Sequence, residues 1–198
     1  MSEAPGAMTK GRLEAFTDGV VAIIITIMVL ELKTPVGDHL SDLQAIWKTL
    51  ALYAMSFVYV GIYWNNHHHM MHVVHRVNGA VLWANMHLLF WLSLVPFTTR
   101  WMGDENFAKW PVAVYGVSLL MPAIAYSFLS LALIQANGPD SPLARATGAD
   151  TKGKLSLLLY VVGIAVTIFW QPLAGVACYV AVAAIWFIPD PRIENKKT

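Results

Sequence analysis

Residues 12–32 read RLEAFTDGVVAIIITIMVLEL, an apolar segment with charged residues near both ends. Its uncharged core, residues 19–30, would form a helix of about 18 Å, which is too short to cross the roughly 30 Å hydrocarbon layer of a membrane. A span over the whole segment is long enough, but it includes Arg12, Glu14, Asp18 and Glu31. Because charged groups that face lipid are costly, we expect this helix to lie inside a bundle or beside water.

The remainder of the chain is short of charge: 57% of its 198 residues are hydrophobic and 13% are charged, against roughly a quarter charged in soluble domains. Charged residues are separated by uncharged stretches of 27, 23, 30 and 35 residues, counting histidine as neutral. The last stretch contains Gln171 and Pro172, which favour two short spans over one kinked helix. The pattern predicts an all-α, polytopic membrane protein of one transmembrane domain over 1–198. The approximate spans are 12–33, 42–65, 79–100, 109–136, 154–171 and 173–188.

Composition also excludes several functions. The formal net charge is +1, so we expect no nucleic acid partner. The single cysteine, Cys178, excludes an internal disulfide. No segment is available for a soluble catalytic domain, and we therefore predict that the chain is not an enzyme and has no cofactor.

The basic residues predict the orientation of the spans. With six spans, nine Lys and Arg residues fall on one side and four on the other. Because cytoplasmic loops are enriched in Lys and Arg, we predict that both termini are cytoplasmic and that the protein is a multi-pass protein of the cell membrane.

The first helix presents two different faces. At 100° per residue, Ile23, Thr26, Ile27 and Leu30 form one stripe, and Asp18 lies about 140° from Ile23. Such a stripe would often pack against another helix. Here the four charges on the same helix favour an axial pathway, with an apolar constriction that gates by dewetting and hydroxyls that bind a partly dehydrated cation.

The start of this helix carries a recognisable motif. Arg12, Phe16, Thr17 and Asp18 resemble the signature of the transmembrane protein 175 family of potassium channels, with Thr17 in place of the usual Ser. Residues 19–27 are similar to the family's first helix. The stretch 64–68 (WNNHH), Asn85 and the stretch 94–97 (LVPF) resemble its second and third helices.

The resemblance implies a function and a set of site residues. It implies a homotetramer in which the first helix lines a central pore, and a weakly selective, leak-like potassium channel whose only ligand is the permeant K⁺. By position, Ile23, Ile27 and Leu30 match the family's pore constriction, and Thr26 matches a threonine of its selectivity layer. The remaining matches belong to a buried network that holds the pore helix: Arg12, Phe16, Thr17, Asp18, Trp64, His67 and Asn85.

The histidines of residues 67–75 suggest an alternative function. His68 and His72 are four residues apart, a spacing that can chelate a transition metal, so a membrane metalloenzyme is one alternative. Such a site needs ligands from several helices, and we therefore predict no metal site. A secondary transporter is the other alternative, although the sequence shows no repeated broken helix.

Overall fold

The structure is a computed structural model that describes residues 9–147 and 150–187. Every regular element in these two ranges is a helix, which agrees with the all-α prediction. The α-helices are α1 (Lys10–Leu30), α2 (Leu43–His72), α3 (Gly79–Ser93), α4 (Val95–Asp104), α5 (Lys109–Asn137), α6 (Pro142–Thr147), α7 (Thr151–Phe169) and α8 (Pro172–Phe187). A 3₁₀ turn, Leu40–Asp42, precedes α2.

Five helical segments in the described ranges are long and apolar enough to cross a membrane, so the chain is a multi-pass membrane protein. They are Lys10–Leu30, Leu40–His72, Gly79–Asp104, Lys109–Asn137 and Thr151–Phe169. A sixth apolar segment, Pro172–Trp186, is shorter. The predicted last residue of that span, 188, and the basic residues Arg192, Lys196 and Lys197 lie outside the described residues.

Two breaks divide the predicted spans. The third span is a pair of helices, because α3 ends at Ser93 and α4 begins at Val95, with Pro96 in its first turn. Proline has no backbone N–H to donate, which suits it to the start of a helix. The long uncharged stretch 155–189 also contains two helices: α7 ends at Phe169 and α8 begins at Pro172.

Two helical segments add detail to the predicted spans. The predicted second span, 42–65, corresponds to the first part of α2, which continues to His72 and contains most of the histidine cluster. Histidine side chains are compatible with a helix. The connector after α5 contains the short helix α6.

Hydrophobic packing places α5 at the centre and α1 at one side of the bundle. One core cluster joins α1, α2, α3 and α5, and a second joins α2, α5, α7 and α8. In α1 the buried residues follow the spacing of one helical face, and this face packs on α2 and α3. The buried set is Leu13, Thr17, Val21, Ile24 and Met28.

Candidate functional site: the outer face of the first helix and its polar support

The outer face of α1 carries an apolar stripe that the rest of the chain leaves uncovered. Ile23, Ile27 and Leu30 are 58%, 41% and 79% exposed, whereas Ile24 and Met28 on the inner face are 4% and 2% exposed. From Ile23 to Leu30 the stripe rises about 10 Å along the helix. The three residues predicted to form a constriction therefore lie in successive layers on one exposed face.

Thr26 lies on the same exposed face, with its hydroxyl held by the helix itself. The Oγ1–H group donates to the carbonyl oxygens of Ala22 and Ile23, at 2.9 and 3.0 Å. Since the hydroxyl hydrogen is used within α1, the oxygen lone pairs are available to a ligand on the exposed side. This chemistry suits a cation, because a cation binds through oxygen lone pairs.

A buried polar chain links the inner face of α1 to α3 and α2. Asn85 Nδ2 donates to Thr17 Oγ1 at 2.9 Å, and His67 Nε2 lies 3.0 Å from Asn85 Oδ1. All three side chains are buried. Because the amide oxygen only accepts, His67 donates from Nε2 in this arrangement. A buried polar group without a partner is costly, so these two bonds fix how α1, α2 and α3 meet.

Asp18 is held separately by α2. Trp64 Nε1–H donates to Asp18 Oδ1 at 2.8 Å. The resemblance places Trp64 and His67 in one network with Asp18. The structure supplies the indole, whereas the imidazole of His67 bonds to Asn85. Trp64 and His67 are three residues apart on α2, so that His67 lies toward α3 and Trp64 lies beside α1.

Two residues assigned to the buried network by resemblance occupy a different place in the single chain. Arg12 is exposed, and Phe16 is 49% exposed. Both fall on the outer face of α1, in line with Ile23 and Leu30, because Phe16 is about 100° around the helix from the buried Thr17. The resemblance assigns them to the network of an assembled tetramer, and within the single chain both lie on the surface.

An ionic cluster, which sequence reasoning missed, lies at the opposite end of α1. Arg100 Nη1 of α4 contacts Glu31 Oε2 at 2.5 Å, just beyond the last residue of α1. Lys33 Nζ lies 2.9 Å from Asp104 Oδ1, and Arg100 Nε is 3.6 Å from Asp104 Oδ2. The sequence places Glu31, Lys33 and Arg100 at the ends of predicted spans, but their pairing depends on how α1 packs against α4.

The histidine cluster forms a column of rings on the exposed face of α2. Trp64 stacks with His68, and His68 stacks with His72, at centroid separations of 6.1 and 6.4 Å. Across residues 9–147 and 150–187, no three His, Cys, Asp or Glu side chains come together as a metal site would require. The metalloenzyme alternative therefore gains no support from the geometry.

Comparison with known proteins identifies the family. Residues 12–96 match the family model described as endosomal/lysosomal potassium channel TMEM175. A protein of Chryseobacterium sp. (strain P1-3) named as a potassium channel is 55% identical over 188 residues, 95% of this chain and 97% of that protein. A potassium channel of Streptomyces collinus is 34% identical over 151 residues, 70% of this chain and 73% of that protein.

A solved structure is similar over nearly the whole fold. The crystal structure of a lysosomal potassium-selective channel TMEM175 homolog from Chamaesiphon minutus matches with a TM-score of 0.73 and 27% identity. The match covers 90% of this chain and 96% of that one. The motif at the start of α1 therefore lies in a chain that resembles the family in sequence and in fold. This chain is a member of the TMEM175 family of ion channels.

Proposed function

We propose that this chain is the subunit of a homotetrameric, weakly selective potassium channel of the cell membrane, with six spans and α1 lining the pore. The observation that carries the proposal is the outer face of α1. It is apolar in three layers, contains one hydroxyl, and is uncovered by the rest of the chain. The relatives named as potassium channels agree with it.

The charges on α1 favour a pore over a lipid-facing position. Arg12 lies in line with Ile23 and Leu30 on the exposed face, and Asp18 is also exposed despite its bond to Trp64. Lipid contact would be costly for the Arg12 guanidinium, whereas an aqueous pathway solvates it. Asp18, about 140° from the stripe, is held by its bond to Trp64. A ring of Ile23, Ile27 and Leu30 side chains would then form the narrow, dewetting section of that pathway.

Thr26 supplies the oxygen ligands within the apolar section. Four subunits would place four copies of its hydroxyl oxygen around the axis, each with lone pairs directed away from its own helix. Four hydroxyls replace only part of the hydration shell of a cation. We therefore expect a modest preference for K⁺ over Na⁺.

A cavity beside α1 supports assembly with further copies of the chain. It measures about 850 Å³ and is lined by Ile23 and Ile27 of α1 and by Phe97 and Arg100 of α4. Its apolar wall is continuous with the exposed stripe, so one subunit alone leaves both uncovered. A neighbouring subunit would cover the α4 side of the cavity and leave the stripe facing the axis of a closed ring of four subunits.

The topology follows from the charge asymmetry. We place both termini in the cytoplasm, and an even number of spans requires α8 to cross as well. At 16 residues α8 is about 24 Å long, which is short for a crossing. Its proximity to α7 favours a tightly packed hairpin through the membrane.

The test is ion flux through purified protein in liposomes. We expect K⁺ flux in the absence of any metal or driving substrate, with slower Na⁺ flux. In bilayer recordings, Thr26→Val should shift the reversal potential under a K⁺/Na⁺ gradient, and Ile23→Asn should raise conductance. Absence of flux would contradict the channel, and an unchanged reversal potential in Thr26→Val would contradict the role of that residue.

A further inference from the structure

A small cavity that is separate from the α1 stripe has the chemistry of a cation site. It measures about 50 Å³, room for on the order of four water molecules, and lies among α2, α5, α7 and α8. No residue of α1 lines it. Four tyrosines and Trp186 form much of its wall, and Asp150 lies in the wall where α7 begins.

Several hydrogen-bond donors of the wall are used within the protein. Tyr126 OH donates to Asn66 O at 3.2 Å, and Tyr59 OH donates to Tyr179 O. Trp186 Nε1 donates to Ser156 Oγ at 2.8 Å.

The serine hydroxyls of the wall also donate within the protein. Ser156 Oγ donates to Lys152 O at 2.8 Å, and Ser127 Oγ donates to Ala123 O at 3.0 Å. These groups therefore offer mainly oxygen lone pairs and aromatic surface to a bound molecule.

Among the described residues, Asp150 is the one charged side chain of the cavity wall, and its negative charge suits a bound cation. Asp150 Oδ1 accepts from Gly153 N at 2.8 Å, which leaves Oδ2 for a second partner. No Lys or Arg side chain lines this cavity in the described part of the chain. Tyrosine rings attract cations through their π faces, and a nearby carboxylate adds to that attraction.

We propose that this cavity binds a small organic cation, a protonated amine of the alkylammonium class. Ammonium hydrogens match the lone pairs of the tyrosine hydroxyls, the alkyl part matches the ring surface, and Asp150 balances the charge. The volume limits the ligand to a few non-hydrogen atoms. The site is separate from the proposed pore, so the two proposals stand or fall independently.

The test is a saturation-transfer NMR titration of the purified full chain with ethylammonium chloride, with ethanol as an uncharged ligand of equal heavy-atom number. We expect saturable ethylammonium binding with a millimolar Kd, the range allowed for three non-hydrogen atoms. Ethanol should bind at least tenfold more weakly. Equal binding of the two ligands would overturn the proposal.

Matched variants locate the binding. Asp150→Asn should raise the Kd at least fivefold and keep the helix cap, because Asn caps helices as well as Asp does. Asp140→Asn removes the same charge from the neighbouring connector, outside the cavity, and should leave the Kd unchanged. Tyr126→Phe, which keeps the ring and removes the oxygen, should also weaken binding. Equal affinity in the Asp150 and Asp140 variants would refute the site.

Discussion

Replacing Thr17 by valine tests whether the buried polar chain holds α1 against α3. The change keeps the shape of the side chain and removes the oxygen that accepts from Asn85 Nδ2 at 2.9 Å. Both residues are about 1% exposed, so the amide N–H would lose its partner without gaining water. Hydrogen bonds between membrane helices average about 0.6 kcal/mol and reach about 1.7 kcal/mol. An unsatisfied buried donor costs about 1–3 kcal/mol. We therefore expect a loss of about 1–2 kcal/mol.

The same substitution elsewhere on α1 provides the control. Thr26→Val also exchanges a hydroxyl for a methyl group, but the Thr26 hydroxyl bonds only to carbonyls of its own helix and is exposed. Its cost should stay within about 0.5 kcal/mol. Thr17→Ser should remain near the parent protein, because it retains the oxygen.

The assay is thermal unfolding of the purified protein in one detergent, followed by its helical circular-dichroism signal at fixed protein concentration. A loss of 1–2 kcal/mol corresponds to a fall in Tm of roughly 2–8 °C for a chain of this size. In a double-mutant cycle with Asn85→Ala, the two changes should be coupled by about 0.6–1.7 kcal/mol. If Thr17→Val melts no lower than Thr26→Val, the buried chain does not support α1.

Three further predictions concern the contacts around α1 and the α7–α8 hairpin. Gly175→Ala should destabilise the protein by about 1–3 kcal/mol, because a Cβ there would lie 2.6 Å from the carbonyl oxygen of Gly163. Gly61→Ala, inside α2, meets open space and should not lower the Tm in the same melting assay, because alanine favours a helix over glycine. Trp64→Phe removes the hydrogen-bond donor to Asp18 and should lower the open probability in single-channel recordings. The control Trp83→Phe changes a side chain that is 78% exposed and should leave the open probability unchanged. Arg100→Gln should lower the Tm slightly in dilute buffer, because it removes the ion pairs with Glu31 and Asp104. These partners are partly exposed, so the difference should disappear in 1 M salt, where the Debye length is about 3 Å. A difference in Tm that persists in high salt would contradict an ionic origin.

The sequence predicts the helices well where charge marks their ends. The long uncharged stretch after Lys109 predicts α5 to within one residue, and Pro172 predicts the break before α8. The break at Leu94 is harder to predict, because Pro96 lies inside an uncharged stretch and proline also occurs within α5, at position 122, without ending it. Local sequence therefore does not decide whether a proline begins a helix or lies within one.

The sequence also predicts only part of the candidate site. Helical periodicity places Ile23 and Leu30 on one face, and the structure leaves that face exposed. The resemblance groups Trp64, Asp18, His67 and Asn85 in one network, but it does not give the pairs, which are Trp64 with Asp18 and His67 with Asn85. Periodicity gives the direction of a side chain around its own helix. The distance and rotation between helices decide which partner it meets, and those depend on packing across the whole bundle.

Cysteine accessibility along α1 tests the central claim, that the outer face of this helix lines the pore. Cys178 is the single native cysteine, so a Cys178→Ser background gives a chain without thiols. In liposome flux assays, a charged thiol reagent should block K⁺ flux through Ile23→Cys and Leu30→Cys channels. It should leave flux through Ile24→Cys and Met28→Cys unchanged, because those positions are buried against α2 and α3. Block at the buried positions, or flux that persists at the exposed ones, would contradict a pore lined by this face.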